Sequence, residues 1–231
     1  MKRYSTVIFD LDGTLMDTLE DISNSVNYAL AELELPIRSI DEISTFVGNG
    51  VKELLVCALQ AATKDVGVSY SEDLLHKSLT LFRQHYVVHC QDCTKPYEGI
   101  FDLLEQLKNA GCKMTIVSNK PQREVSILRE HHFKKWITVA YGENESTGIR
   151  RKPFPDMVLK AIDELCEDRE STVYVGDSET DFATARNAGV DCISVLWGFR
   201  TEEQLRQCGA TVFAHSPSDV LSLVSGSESE R

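Results

Sequence analysis

Two aspartates, Asp10 and Asp12, stand two residues apart in Phe9-Asp-Leu-Asp-Gly-Thr14, directly after the apolar run Val7-Ile8-Phe9. A short β-branched run of this kind predicts a buried parallel strand, which delivers both acids to its carboxyl end. In open α/β sheets that edge is where ligands bind. Two like charges side by side in a buried turn are costly unless a cation or a phosphate chemistry requires them. The pair therefore points to a metal-assisted site able to carry out covalent catalysis.

Three further groups fall where a strand gives way to a loop. Ser118-Asn119 follows Ile116-Val117, Gly176-Asp177 with Asp181 follows Val173-Tyr-Val175, and Lys152-Pro153 lies beyond a strand expected over 136–140. In a parallel sheet these carboxyl ends converge on one edge. Hard carboxylate oxygens with few other ligands suit Mg²⁺, which keeps several waters. Lys152 and the backbone N–H groups near Asn119 would complement a phosphate. Each piece alone is commonplace, since an aspartate after a strand is usually a turn residue or helix cap. Their joint occurrence in this order is not.

The elements that must position these groups follow from periodicity. Ile22, Val26, Ala29, Leu30 and Leu33 recur at helical spacing from Thr18 to about Glu34, where Pro36 is expected to stop the helix. Ser39-Ile-Asp-Glu42 has the capping-box pattern. Helices are expected over 51–63, after Gly48-Asn49-Gly50, and over 71–89. No strand is apparent between Leu15 and Pro96, so a helical insert follows the first strand. Beyond Pro96 strands and helices alternate: helices at 98–110, 121–131, 154–166 and 179–188, and strands at 113–117, 136–140, 172–175, 192–195 and 211–213. Further helices open at Thr201 and at Ser216-Pro217. Such alternation predicts an α/β fold with a doubly wound parallel sheet. The expected division is a core of 1–16 and 95–225, a helical insert of 17–94, and a flexible polar tail at 226–231.

Composition narrows the partners. A net charge of -12 over 231 residues, with no basic block, argues against nucleic acid and anionic membrane surfaces. No stretch approaches the roughly 20 apolar residues of a membrane span. No apolar segment of roughly 7–15 residues follows the N-terminal basic pair, as a secretory leader would need. A cytoplasmic protein, monomer or homodimer, is expected. The seven cysteines are scattered, mostly in apolar surroundings, as small hydrophobes in a reducing compartment. His85, His89, Cys90 and Cys93 have spacing that could hold zinc, but no second ligand pair accompanies them, so a helix end with polar side chains is expected.

Together the four segments resemble the motifs of the haloacid dehalogenase (HAD) superfamily: Asp10-Leu-Asp12-Gly-Thr14, Val117-Ser118-Asn119-Lys120-Pro121, Lys152-Pro-Phe-Pro-Asp156 and Gly176-Asp177-Ser-Glu-Thr-Asp181. The resemblance implies a Rossmann-like core with a helical C1 cap inserted after the first strand. Within the family the chain is most similar to phosphoglycolate phosphatases, which share the Val47-Gly48-Asn49-Gly50 loop and the Ser-Asn-Lys-Pro run. It implies hydrolysis of a small phosphorylated metabolite, 2-phosphoglycolate first, through an aspartyl-phosphate. Asp10 would be the nucleophile and Asp12 the acid and base, with Mg²⁺ held by Asp10, the Asp12 backbone carbonyl and Asp177. Asp181 would support the metal from behind and anchor Lys152. Ser118, Asn119 and Lys152 would hold the phosphoryl oxygens, and Thr14 would steady the Asp12 loop or the phosphate. Gly48, Asn49 and Gly50 would select the leaving group.

Other members of the superfamily mark the alternatives. Dehalogenases need no Mg²⁺ and lack the second motif carboxylate, which Asp12 supplies here. Pyrophosphatases, nucleotidases and β-phosphoglucomutase-like mutases keep all four motifs. A mutase must grip a bisphosphate, yet between Asp17 and Cys93 the only arginines are Arg38 and Arg83. A non-enzymatic binding module would be expected to have lost the nucleophile or a metal aspartate, and each is present.

Overall fold

The computed structural model describes residues 4–226 of the 231, so the polar tail expected at 226–231 falls, past Gly226, outside the described residues. The chain divides into two compact units, Met1–Met16 with Pro96–Arg231, and Asp17–Lys95. Its strands are β1 (Thr6–Phe9), β2 (Met16–Asp17), β3 (Lys95–Pro96), β4 (Lys113–Pro121), β5 (Val139–Glu143), β6 (Thr172–Gly176), β7 (Asp191–Val195) and β8 (Phe213–Ala214). Its helices are α1 (Leu19–Glu32), α2 (Ile40–Phe46), α3 (Val51–Val66), α4 (Glu72–His89) and α5 (Ile100–Asn109), then α6 (Gln122–Leu128), α7 (Asp156–Glu164), α8 (Glu179–Ala188), α9 (Glu202–Gln207) and α10 (Pro217–Ser225).

The first unit is an α/β layer structure on a six-stranded sheet of order β5-β4-β1-β6-β7-β8. Its paired strands run parallel: β1 lies between β4 and β6, with Phe9 opposite both Ile116 and Val175. Alternation along β1 explains why the run is apolar throughout. Val7 and Phe9 enter a core that also holds Leu103, Leu104, Leu107, Val125, Leu128, Val220 and Val224 from α5, α6 and α10. Ile8 enters the opposite core with Val117, Tyr174 and residues of α7 and α8. Both faces are covered, as the hydrophobic pattern of a central parallel strand requires.

Several boundaries differ from expectation. The strand expected over 113–117 runs on through Ser118 and Asn119 to Pro121, and the segment in which no strand is apparent from periodicity holds two short ones at its ends, β2 and β3, which pair with each other. The strand expected over 136–140 begins instead at Val139, because Trp136 and Ile137 both donate to Phe133 O at 2.9 Å and prolong the helical turn before it. Their β-branched and aromatic character serves core packing: Ile137 is fully buried. The helix expected over 121–131 ends at Leu128 and widens into a π turn, Arg129–Phe133. The last strand lies at Phe213–Ala214 rather than 211–213. By contrast α5 ends as its glycine predicts. Gly111, at φ 80, bonds back to Lys108 while Cys112 reaches Leu107 O, closing a Schellman motif.

The second unit is helical. Ile22, Val26, Ala29 and Leu30 form the buried stripe of α1, whose helix stops at Leu33, ahead of Pro36, with Glu34 in left-handed backbone at φ 56. Ser39 and Glu42 make the capping box reciprocally. On α4, His85 accepts or donates to Ser25 Oγ at 2.9 Å and stacks on Tyr28 and His89, while His89 pairs with Asp92 at 2.7 Å. Cys90 is buried and Cys93 exposed. The Asp21 carboxylate, 1% exposed, accepts from the backbone N–H groups of Cys93 and Thr94 at 2.9–3.1 Å. The start of α1 is thereby tied to the segment that leaves the unit.

Candidate active site

Strands β1, β4 and β6 are adjacent and parallel, so their carboxyl ends bring Asp10, Ser118 and Asp177 to one edge of the sheet. Asp10 continues the ladder, donating its N–H to Val175 O at 2.9 Å. Asp10, Asp177 and Asp181 are buried and offer carboxylate oxygens that all lie within 4.8 Å of one another. Among the described residues this is the one such cluster of candidate metal ligands. The four residues His85, His89, Cys90 and Cys93 do not form another.

Lys152 neutralises part of this charge. Its ammonium lies 2.9 Å from Asp10 Oδ1 and 2.7 Å from Asp181 Oδ1. The Asn119 side chain fixes it there by a reciprocal amide clamp, accepting from Lys152 N at 2.8 Å and donating to Lys152 O at 3.0 Å. Burial opposes the lysine charge, but Asp10 and Asp181 outweigh it and hold its pKa above the ordinary value. For Asp10, burial first, then Asp181, pushes the carboxyl well above its usual range, against the pull of Lys152. Burial and Asp181 likewise raise Asp177 to about 7, against hydrogen bonds from Phe199 N and Thr14. Carboxylates strained by mutual repulsion in a buried site are what a divalent cation relieves.

The oxygens differ in how far they are already engaged. Asp181 Oδ2 accepts from Ser178 N and Ser178 Oγ at 3.0 and 2.6 Å. Its Oδ1 meets Lys152 and the Tyr174 hydroxyl, which also reaches Val117 O. Asp177 takes one donor on each oxygen, Thr14 Oγ1 at 3.1 Å and Phe199 N at 2.8 Å. Asp10 Oδ1 is buried and accepts no well-directed hydrogen bond. The donor set therefore fits a metal ion, with Asp10 and Asp177 holding spare lone pairs and Asp181 acting as the anchor of the lysine.

Space around Asp177 is tight by construction. A Cβ on Gly13, at φ 80, would lie 2.4 Å from Asp177 Oδ2, and one on Gly198 would lie 2.3 Å from Asp177 Cβ. Trp197 Nε1 donates to Thr14 O at 3.0 Å. The loop Trp197-Gly-Phe199 thus closes over the metal-side carboxylate, a contribution the charged motifs did not announce. The signal available was positional, for this loop follows β7 as the others follow their strands.

Two residues take partners other than those expected. The Thr14 hydroxyl goes to Asp177, across the β1–β6 boundary, rather than to Asp12 or its loop. Asp12 is not part of the triad and pairs with Lys120, whose Nζ lies 2.8 Å from its Oδ1. Ser118 Oγ accepts from Lys120 N at 3.3 Å. Gly48, Asn49 and Gly50 belong to the other unit, between α2 and α3, where Gly50 at φ 87 caps α3.

A family model for haloacid dehalogenase-like hydrolases matches residues 7–195. The chain is 33% identical over 194 residues to a phosphoglycolate phosphatase of Aquifex aeolicus, which is 84% of this chain and 85% of that protein. It is 30% identical over 217 residues to one of Caulobacter vibrioides, covering 94% and 89%. Among solved structures, a phosphoglycolate phosphatase candidate from Lactobacillus delbrueckii subsp. bulgaricus superimposes with a TM-score of 0.91 at 34% identity, over 97% of this chain and 100% of that one.

Proposed function

The chain belongs to the haloacid dehalogenase-like hydrolases and is a phosphatase resembling phosphoglycolate phosphatases, and from that premise we propose that it hydrolyses 2-phosphoglycolate with Mg²⁺ as cofactor. The observation that carries the reading is the buried cluster of Asp10, Asp177 and Asp181, cross-linked by a single lysine. Asp10, Asp177 and the Asp12 backbone carbonyl would hold the ion. When bound, Mg²⁺ supplies the positive charge that lets an anionic nucleophile approach an anionic phosphoryl group.

The chain's own groups do the rest. Asp10 attacks phosphorus as the ester P–O bond breaks, leaving an aspartyl-phosphate. Asp12 gives a proton to the departing oxygen and recovers one from the water that then attacks phosphorus. Lys152, the Ser118 hydroxyl and the Asn119 backbone N–H bind the equatorial oxygens, where charge redistributes. Asn119 has a second duty, since its side chain fixes Lys152. Asp181 anchors the same lysine, and Thr14 orients Asp177. Residues 17–94 serve as the cap, with Gly48, Asn49 and Gly50 selecting the leaving group. Seven cysteines with no disulfide among the described residues fit work in the reducing cytoplasm.

The test is phosphate release from p-nitrophenyl phosphate and from 2-phosphoglycolate, with Mg²⁺ and with EDTA, by the chain and by Asp10→Asn. Release that needs Mg²⁺ and vanishes in the variant is expected. Equal release by Asp10→Asn would sink the covalent reading, and a flat profile over other phosphate esters would sink 2-phosphoglycolate as substrate.

A further inference from the structure

We propose that Tyr174 is a positioning residue for the phosphate lysine: its hydroxyl proton rests on Val117 O in the ligand-free protein and swings to Asp181 Oδ1 when a bound phosphate draws Lys152 away. This rests on the reading of Lys152 as a phosphate-binding group. Tyr174 is the middle residue of β6, fully buried, in the core cluster that also holds Ile8 and Val117. Hydrophobic patterning accounts for its ring but not for its hydroxyl, which phenylalanine would lack. That hydroxyl meets two acceptors, Val117 O at 2.8 Å and Asp181 Oδ1 at 3.2 Å. Lys152 Nζ lies 5.8 Å from the ring centroid.

One proton cannot serve both acceptors fully. A phenol has a single O–H, and burial first, then Asp181, holds its pKa far above the ordinary 10, so it keeps that proton. The 2.8 Å contact has the ordinary O–H···O length and the 3.2 Å contact exceeds it. The proton therefore rests on the carbonyl. That carbonyl ends the regular part of β4: pairing with β1 closes at Ile116, and pairing with β5 is regular only as far as Val117, where the register shifts. Rotation about the phenolic C–O bond redirects the proton with no bond broken.

Asp181 creates the demand. Its Oδ2 is taken by Ser178 N and Ser178 Oγ at 3.0 and 2.6 Å. Gly176 packs so closely that a Cβ there would lie 2.4 Å from both Asp181 Cβ and Cγ. The carboxylate is thus held from following a partner that moves. Its Oδ1 shares the Lys152 ammonium, at 2.7 Å, with Asp10 Oδ1 at 2.9 Å. A phosphate set against Asp10 pulls that ammonium toward the phosphoryl oxygens and leaves Asp181 Oδ1 short of a donor. An unpaired buried carboxylate costs more than an unpaired carbonyl. The Tyr174 hydroxyl is already within reach, so exchanging Val117 O for Asp181 Oδ1 lowers the total. Lys152 can then turn to the phosphate without stranding a buried charge behind it.

The test uses the full chain loaded with Mg²⁺ and inorganic phosphate as the probe, comparing the unaltered protein with Tyr174→Phe by calorimetry. The variant loses a bond to a neutral carbonyl when free and a bond to a carboxylate when phosphate is bound. The difference between the two corresponds to about tenfold weaker phosphate binding. Mg²⁺ affinity without phosphate should be unchanged. A hydroxyl that only tied β6 to β4 would affect stability alone, so an unchanged phosphate affinity overturns the proposal. Equal weakening of Mg²⁺ and phosphate, the mark of a distorted site, overturns it too. Proton NMR of the unaltered protein covers a variant that fails to fold. Nuclear Overhauser contacts of the Tyr174 hydroxyl proton should pass from the Val117–Ser118 backbone to the Asp181 β protons when phosphate is added, and contacts that stay on Val117 overturn the proposal. The aryl phosphate and Asp10→Asn arms do not involve Tyr174, so they report the phosphatase reading separately. A protein that hydrolyses the aryl phosphate with Mg²⁺ but fails these tests loses this inference alone.

Discussion

Removing one hydroxyl should displace the pH at which the site accepts its cation. Asp177 has a pKa of about 7, raised by burial and by Asp181 and restrained by the hydrogen bonds from Phe199 N and Thr14. Metal binding needs the ionised form, so Mg²⁺ affinity should fall about tenfold between pH 8 and pH 6 from this group alone. Thr14→Val deletes the hydroxyl 3.1 Å from Asp177 Oδ1. A hydrogen bond to a charged group contributes about 1.5–3 kcal/mol, equivalent to about 1–2 pH units of further rise. At pH 7 the variant should therefore bind Mg²⁺ about fivefold to fiftyfold more weakly, and the two proteins should converge as pH approaches about 10. Isothermal titration calorimetry from pH 6 to 10 measures the curve, and two buffers of different ionisation enthalpy count the protons released. A deficit of equal size at every pH would refute the electrostatic account and leave Thr14 a purely geometric role. The sign for folding runs the other way. A carboxyl raised above its ordinary 3.8 contributes stability that is complete below that pH and fades as pH climbs through about 7. Stabilisation by Mg²⁺ should accordingly be larger at pH 8 than at pH 6.

Lys152→Met leaves Asp10 and Asp181 without their shared cation and should cost about 3–5 kcal/mol in urea denaturation at pH 8. The loss should shrink at pH 5.5, where the carboxyls can take up protons; a pH-independent loss would argue against the ion pairs as its source. Gly198→Ala places a methyl 2.3 Å from Asp177 Cβ and should cost about 1–3 kcal/mol by overpacking, with weaker Mg²⁺ binding by calorimetry. Unaltered metal affinity would show that the loop can yield. Asp21→Ala strands the N–H groups of Cys93 and Thr94 and should cost about 2–4 kcal/mol; a change below 0.5 kcal/mol would mean that water replaces the carboxylate.

What sequence reasoning reached, and what it did not, follows from how local each interaction is. Asp10, Asp177 and Asp181 were legible because each stands directly after an apolar strand or in the first helical turn beyond it. Parallel strands carry such residues to one edge whatever the intervening lengths. The partner of Asp12 was not legible, since Lys120 comes from 108 residues away through a bulge that no hydrophobic period encodes. The same bulge hid β5. Its true span includes Gly142, a poor strand former, because only glycine lets that backbone lie against Lys120 O. Trp136 and Ile137 have strand-like side chains, but they serve the core from a helical turn.

The ribbon of β2 and β3 gives the second unit an unusual genetic status. Met16–Asp17 and Lys95–Pro96 pair as two strands, so the chain leaves the first unit and re-enters it through neighbouring doors. For the sheet, everything between is a loop whose ends are already closed, and the entropy of such a loop grows only slowly with its length. Each charged group of the candidate site, from Asp10 to Asp181, is encoded outside that interval. Lengthening, shortening or exchanging residues 18–94 therefore asks nothing of the strands that hold the chemistry. The reacting centre and the intervening segment are free to change on separate evolutionary clocks.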